Sequence, residues 1–455
     1  MVGGAYGEWG MLSMWRAPAR RQPSYTAVMD PETLRRTSFV PHSTPFYVER
    51  AKGSYLYTDD GRAILDAGGG AIVTNIGHGR KEVADVAAKT LEQFGYVVPT
   101  FSTPQKVALA ERLVANWLPK GLTRCFFTSG GSESVDAALR LVRAHHVAAG
   151  RPERWKVIGS DLSYHGITLA TLSVANHAPR RAAFEPMLPA FPHTPNPYDN
   201  ENAAALLEQV IKKEGPDTVA AVILEPVVGS AGGAMVPPPE FWPRVREVCD
   251  RHGVLLIADE VMTGFGRTGK KFAVEHWDVT PDVLVGGKGL AGGYAPMGGV
   301  FATEAVIAPL VEARQDLMFY TFAAHPLCCA IADKVLEIME REQLVEQVAA
   351  TGARLRKRLD ALADHPNVRE VRGLGLMLGI EWVKERRTGE PFPAGDRVAN
   401  RVTAEALERG VWVYPSGSGT HQDCTMFGPP FVLTGAEIET IGSVTEASIN
   451  AVVGG

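Results

Sequence analysis

From about residue 124 to residue 301 the chain alternates short apolar runs with amphipathic stretches of helical period, and this alternation narrows the possible folds more than any other feature. Apolar residues dominate 124–128, 156–160, 219–224, 254–258 and 283–286, while 133–148 and 241–252 space theirs three and four apart. A strand that is apolar along its length is buried on both faces, and helices crossing between parallel neighbours cover both faces at once. The segment therefore predicts an α/β core with a mostly parallel central sheet. Ligands bind such sheets beyond the carboxyl ends of the strands, so the residues following each run are the ones to read for chemistry.

The flanks read differently. Strand-like alternation at 47–49 and 54–58, a turn at Asp59-Asp60-Gly61 and a strand at 63–66 predict a hairpin. After Gly68-Gly69-Gly70 come helical patterns at 81–94 and 104–117, the second ended by Pro119 and Gly121. Beyond about Ala330 one long helical pattern runs through Ala363. Strands at 368–371 and 375–382, a helix at 395–408, a strand at 411–414 and a last helix follow, as in a separate, smaller α/β lobe. The expected division is an N-terminal arm (1–30), a small domain drawn from both chain ends (31–74 and 326–455) and a large domain (75–325).

With 455 residues the chain has room for about three domains of ordinary size, which makes a lone binding module a poor reading. Its 46 basic and 51 acidic side chains leave a net charge of −5, with no electrostatic footprint for nucleic acid or an anionic membrane. No apolar run approaches the roughly 20 residues of a membrane span, and glycines among the first 22 residues interrupt any signal-peptide core. Five cysteines (Cys125, Cys249, Cys328, Cys329, Cys424) with no CxxC pair predict structural thiols and a cytoplasmic location.

The strand end at Thr128 leads through Ser129-Gly130-Gly131-Ser132-Glu133 into a helix. Backbone amides at a helix start, brought close by glycine and joined by hydroxyls, make an anion site fit for a phosphate; a plain serine N-cap on a flexible turn would read the same way. Lys288 follows 283–286 in Gly286-Gly287-Lys288-Gly289. Neither junction has the GxxxxGK[ST] spacing of a P-loop. A lysine between glycines is often only a solvated turn, yet at the end of a buried strand desolvation can lower its pKa and let it attack a carbonyl cofactor. Asp259 and Glu260 close the run 254–258, either as solvated strand-end carboxylates or as partners that keep a heterocyclic nitrogen protonated. Glu225, after 219–224, and Tyr164-His165-Gly166, after 156–160, bring further polar groups to the same sheet edge.

As an ordered series these residues resemble the class III aminotransferases, pyridoxal 5'-phosphate (PLP) enzymes of fold type I. The matching stretches are Thr128-Ser129-Gly130-Gly131-Ser132-Glu133, Tyr164-His165-Gly166, Glu225-Pro226, Ile257-Ala258-Asp259-Glu260-Val261 with Gly264-Phe265-Gly266-Arg267-Thr268-Gly269, Pro281-Asp282, Lys288-Gly289 and His325-Pro326-Leu327. The resemblance implies that Lys288 binds PLP as a Schiff base and then shuttles a proton. It implies that Asp259 pairs with the pyridinium nitrogen, whose charge withdraws electrons from the substrate carbanion. Val261 and Tyr164 would flank the ring, Gly131 and Ser132 would hold the phosphate, and Glu225 would stand near Asp259 unless an ion pair occupies it. Thr321 matches a threonine that reaches the phosphate from the neighbouring subunit, so a homodimer with shared sites is expected, with tetramers left open. Arg372 in Arg372-Gly373-Leu374-Gly375 matches a family motif and serves either structure or substrate. No metal is expected.

Many relatives bind the acceptor carboxylate with an arginine shortly before the Pro-Pro pair. Here residues 410–455 contain no Arg or Lys, so a dicarboxylate such as 2-oxoglutarate loses its clamp, whereas pyruvate makes a smaller demand. The pattern is similar to the ω-amino acid and amine:pyruvate branch. It implies ping-pong transfer from an amine or ω-amino acid donor to a keto-acid acceptor, pyruvate, with (S) selectivity. Ile72, Tyr96, Phe101 and Trp412 would line the substrate pocket unless they are plain core. The alternatives are a 2-oxoglutarate-using diamine or amino-acid transaminase, an aminomutase or decarboxylase on the same fold, and a non-catalytic phosphate-binding protein in which Lys288 is dispensable.

Overall fold

The computed structural model describes residues 47–198 and 200–454. The expected arm (1–30) and residues 31–46 lie outside the described residues. Strands β1 (Val48–Lys52), β2 (Tyr55–Thr58) and β3 (Ala63–Asp66) form an antiparallel meander, as the alternation and the Asp59-Asp60-Gly61 turn predict.

The central sheet contains β4 (Leu122–Thr128), β5 (Lys156–Ser160), β6 (His193–Thr194), β7 (Val219–Leu224), β8 (Leu255–Asp259), β9 (Val283–Gly286) and β10 (Gly298–Thr303). Their order is β4-β10-β9-β8-β7-β5-β6. β10 runs antiparallel to both of its neighbours, and every other pairing is parallel. The apolar runs are explained by where alternate side chains go. Val222 and Leu224 of β7 enter one core with Leu256, Ala258 and Leu284, while Ala221 and Ile223 enter another with Ile257, Val283 and Val285. Each buried Val, Leu or Ile side chain contributes about 1.5–3 kcal/mol, so neither face tolerates a polar residue.

Helix Gly131–Ala148 covers one face through Val135, Ala138, Leu141 and Val142. Helix Phe241–His252 covers the other through Trp242, Val245 and Cys249, and ends at Gly253 in the left-handed region (φ 59°). β10 is illegible in the apolar pattern because it opens on Gly298-Gly299. A Cβ on Gly298 would lie 2.4 Å from Ser134 Oγ, so glycine there admits the start of the covering helix.

The long pattern from Ala330 proves to be two helices, Pro326–Arg341 and Leu344–Asp360, separated where Gln343 turns left-handed (φ 51°). The strand expected at 411–414 also divides. β13 (Val411–Trp412) pairs in parallel with β3, whereas β14 (Tyr414–Ser418) joins β11 (Val368–Leu374), β12 (Met377–Trp382) and β15 (His421–Phe427) in a second antiparallel sheet. Residues from the two chain ends thus share the sheet β1-β2-β3-β13.

Arg267, in the glycine-rich stretch after β8, joins three segments distant in sequence. It is 3% exposed and donates to Thr74 O at 2.7 Å, Pro429 O at 2.7 Å and Leu376 O at 3.2 Å. Burial lowers its pKa to about 9, so its charge is retained at neutral pH at the cost of desolvation. Arg267→Leu would leave three buried carbonyls without donors. We expect it to lower stability by at least ~3 kcal/mol, read as a fall in the urea midpoint at unchanged slope; a midpoint within error of wild type would refute this.

Candidate active site

Because β5, β7, β8 and β9 are parallel, their carboxyl ends share one edge of the sheet, and each delivers a functional group there. Asp259 is the last residue of β8 and is 4% exposed. Its Oδ1 accepts from the Val261 amide at 3.1 Å, and its Oδ2 lies 2.7 Å from His165 Nδ1. The other ring nitrogen, His165 Nε2, is buried and has no partner among the described residues.

Glu225 follows β7. Its Oε1 accepts from the Tyr164 amide at 2.8 Å and its Oε2 from the Gly229 amide at 2.9 Å, so backbone donors hold it where an ion pair was the alternative. Desolvation, with the charge of Asp259 adding to it, pushes its carboxyl up to about 7.

Lys288 stands two residues beyond β9 in the left-handed region (φ 40°), a strained conformation for a side-chain-bearing residue. Its turn is held by Leu290 N to Gly287 O at 2.9 Å and Gly292 N to Lys288 O at 3.1 Å. Buried Asn75 adds a bond from Nδ2 to Gly289 O at 2.8 Å. Burial lowers the Lys288 pKa; the nearby carboxylates of Asp259 and Glu225 oppose that effect, and Arg180 reinforces it. A lysine so placed has a larger neutral, nucleophilic fraction than one in water.

The helix start beside β4 completes the enclosure. A Cβ on Gly131 would meet Val261 Cγ1 at 2.8 Å, and one on Gly166 (φ 133°) would meet Ser132 Oγ at 2.5 Å, so both glycines are required by close approach. Ser132 Oγ also accepts from the Ile167 amide at 3.2 Å. Helix Gly131–Ala148 is 18 residues long, and its first-turn amides and positive dipole end favour an anion here.

Together these groups line a cavity of about 180 Å3, walled by Gly131, Ser132, Tyr164, His165, Gly166, Glu225, Asp259, Val261, Met262 and Lys288. The cavity has an amine at one side, a carboxylate backed by an imidazole at another, an anion-binding helix start, and Val261 and Tyr164 as apolar walls. That donor set fits a flat nitrogen heterocycle bearing a carbonyl and a phosphate.

Seven of the residues singled out from the sequence therefore meet around one space: Gly131, Ser132, Tyr164, Glu225, Asp259, Val261 and Lys288. Thr321 does not line it. Thr321 is exposed, and its carbonyl accepts from Tyr96 Oη at 3.0 Å. Tyr96 (47% exposed) stands beside Phe322 (62%), and neither it nor Phe101 (65% exposed) lines the cavity within one chain. Ile72 is buried behind Met262 and Met426, and Trp412 Nε1 donates to Gly70 O at 2.8 Å, so both pack around the Gly68–Gly70 turn and its neighbours.

Arg372 is also accounted for, as a structural tie. It is 3% exposed, donates to Gly233 O at 3.0 Å and to Gly232 O, and pairs with Glu381.

Sequence reasoning passed over Met262, although it directly follows Val261, because a lone methionine carries no chemical signal. It registered His165 only as a nearby polar group, since the contact with Asp259 spans 94 residues.

A family model described as Aminotransferase class-III matches residues 39–448. The chain is 34% identical to the putrescine–pyruvate aminotransferase of Pseudomonas aeruginosa over 410 residues, 87% of this chain and 88% of that protein. Among solved structures it is similar to the ω-transaminase of Pseudomonas jessenii in complex with PMP, with a TM-score of 0.87 and 30% identity over 93% of this chain and 98% of that one. It is likewise similar to a thermostable (S)-enantioselective ω-transaminase from Thermomicrobium roseum, with a TM-score of 0.86 and 34% identity over 94% of this chain and 96% of that one. Among the described residues no helix is long and apolar enough to cross a membrane.

Proposed function

The chain belongs to the class III aminotransferase family and has its PLP fold type I, and from that premise we propose that it transfers an amino group from an amine or ω-amino acid to pyruvate, with (S) selectivity, by a ping-pong cycle on PLP. The observation that carries the PLP assignment is the gathering of Lys288, Asp259, Tyr164, Val261 and the Gly131-Ser132 helix start around one cavity. Support for pyruvate comes from the absence of any Arg or Lys in 410–455 and from the relative named for putrescine and pyruvate. Support for the (S) preference comes from the T. roseum structure.

When bound, PLP supplies a carbonyl that accepts the amino group and an electron sink for the substrate's α-carbanion. Lys288 would hold the cofactor covalently between turnovers, and its Nζ, once displaced by the substrate amine, would carry the proton taken from the α-carbon. Asp259 would keep the ring nitrogen protonated. His165 Nδ1, bonded to Asp259 Oδ2, would orient that carboxylate. Tyr164 and Val261 would fix the ring plane, while Ser132 and the Gly131 amide would anchor the phosphate. Val261 and Met262 would keep water from the reacting carbon. Both half-reactions would use this one pocket.

We further assign the active unit as a homodimer in which Thr321 of a second copy reaches the phosphate. Supporting this are the exposed apolar side chains Met318, Phe319 and Phe322 in the segment that carries Thr321, which a monomer would leave in water. Pairing of β3 with β13 supports a small domain made from both chain ends. The five free thiols support a cytoplasmic setting.

The decisive measurement is a split half-reaction. An (S)-aryl amine or an ω-amino acid alone should bleach the visible band of the holoenzyme, and pyruvate should restore it. Restoration by 2-oxoglutarate and not by pyruvate would overturn the acceptor assignment, and no bleaching by any donor would overturn the transaminase reading.

A further inference from the structure

A second cavity, of about 470 Å3, lies between 177–180 on one side and 415–423 on the other. Its walls hold three buried polar atoms that have no partner among the described residues: His177 Nδ1, Ser230 Oγ and Asp423 Oδ2. The three atoms are themselves enclosed behind the cavity surface, so what the space offers a ligand is set by the charged groups of its wall.

Two cations face the same space, Arg180 and Arg397. Among the described residues neither forms an ion pair. Asp423 is the one carboxylate in the wall against two guanidinium groups; its Oδ1 accepts from the Ala399 amide at 3.0 Å, and burial pushes its carboxyl up. Burial, aided by Arg180, lowers His177 to about 4 and keeps it neutral. The space therefore favours an anion.

Arg180 also connects this space to the active site. Its guanidinium carbon sits 4.3 Å from the ring centroid of Tyr164, which walls the cofactor cavity, and its charge is felt at Lys288. The segment 410–455 supplies the far wall but no cation, so the positive charge comes from outside it.

We propose that this second cavity is the subsite for the substrate's distal carboxylate, with Arg180 as its main anchor and Arg397 as the second, and that the donors it selects are ω-amino acids long enough to span from Lys288 to it. This rests on the aminotransferase reading and adds the substrate class. Stacked on Tyr164, Arg180 is preorganised for a bidentate contact, and the size of the space suits a chain of several methylenes beyond the reacting amine.

The test uses the PLP-loaded enzyme and compares β-alanine, 4-aminobutanoate, 5-aminopentanoate and 6-aminohexanoate with alkylamines of the same length in the donor half-reaction. Wild type should prefer each of the longer carboxylated donors over its alkylamine by roughly 10- to 100-fold in kcat/KM, mostly through KM. Arg180→Gln should erase that ratio, Arg397→Gln should reduce it, and Arg180→Lys should restore part of it. Hexanoate, which has the carboxylate but no amine, should compete with an aryl amine donor in wild type and do so roughly tenfold more weakly in Arg180→Gln. Each carboxylated donor is read as a ratio to an aryl amine in the same variant, which cancels any effect of Arg180 on Lys288 or Tyr164, and an unchanged far-ultraviolet circular dichroism spectrum shows that the variants fold. An unchanged preference in Arg180→Gln, or alkylamines equal to ω-amino acids in wild type, overturns the subsite while leaving the aminotransferase reading intact. Failure of every donor, aryl amine included, in wild type overturns that reading and the subsite with it.

Discussion

Lys288→Ala is expected to abolish turnover, with kcat falling by about 10^4-fold or more, because one substitution removes both the nucleophile and the proton carrier. The variant should still bind PLP through the helix start and Asp259, but borohydride should no longer fix the cofactor to the protein. Lys288→Arg should be equally inactive, since a guanidinium stays protonated at any working pH and cannot attack a carbonyl. Added methylamine should return part of the half-reaction to Lys288→Ala by supplying a small free base. The fold should survive. Alanine in the left-handed region at 288 bears the same backbone strain as lysine, and removing a desolvated ammonium relieves an electrostatic cost. The apo variant should therefore unfold at or above the wild-type temperature. Retained activity with retained covalent attachment would refute the assignment and revive the non-catalytic phosphate-binding reading.

Asp259→Asn should produce the second largest loss, about 10^3-fold in kcat with a much smaller change in KM. The substitution keeps the shape of the side chain and its bond from the Val261 amide, but an amide cannot neutralise a protonated ring nitrogen. It also replaces the carboxylate oxygen that faces His165 Nδ1 with part of an amide. His165→Gln should fall between wild type and Asp259→Asn, because the carboxylate remains and only its support is weakened. Stopped-flow measurement of the donor half-reaction, which isolates α-proton removal from product release, is the appropriate readout. An Asp259→Asn half-reaction within tenfold of wild type would remove Asp259 from the role of ring-nitrogen partner.

The residues whose positions were legible in advance are those that follow an apolar run at once. Asp259, Glu225 and Lys288 each sit at or just beyond the end of a strand read correctly from pattern, and parallel strands place such ends together without further information. Patterning failed where a strand is rich in glycine, as in β10, or where an unbroken helical period hides a single left-handed residue, as at Gln343. It failed again at 411–414, where the chain leaves one sheet for another between Trp412 and Tyr414. Nothing local distinguishes that step from a continuous strand.

The four residues offered for a substrate pocket show the same limit. Trp412 meets Gly70 across a chain separation of 342 residues, Ile72 packs with Met262 and Met426, Tyr96 bonds Thr321 at the surface, and Phe101 is exposed. Apolar character indicates burial or contact somewhere and does not indicate which neighbour supplies it.

Amino-acid order alone was enough for the α/β class, the sheet edge that gathers polar groups and the places of Lys288 and Asp259 on that edge. Each depends on periodicity or on a few contiguous residues, and short-range sterics and hydrophobic patterning act without knowledge of the rest of the chain. Folding in three dimensions decided the rest: that His165 backs Asp259, that Glu225 is held by amides, that Arg267 joins three segments, and that Arg180, in the wall of the second cavity, stacks on Tyr164 of the first. Those relations join residues tens to hundreds of positions apart. They arise from which backbones pass side by side, a consequence of packing the whole core and not of any one motif.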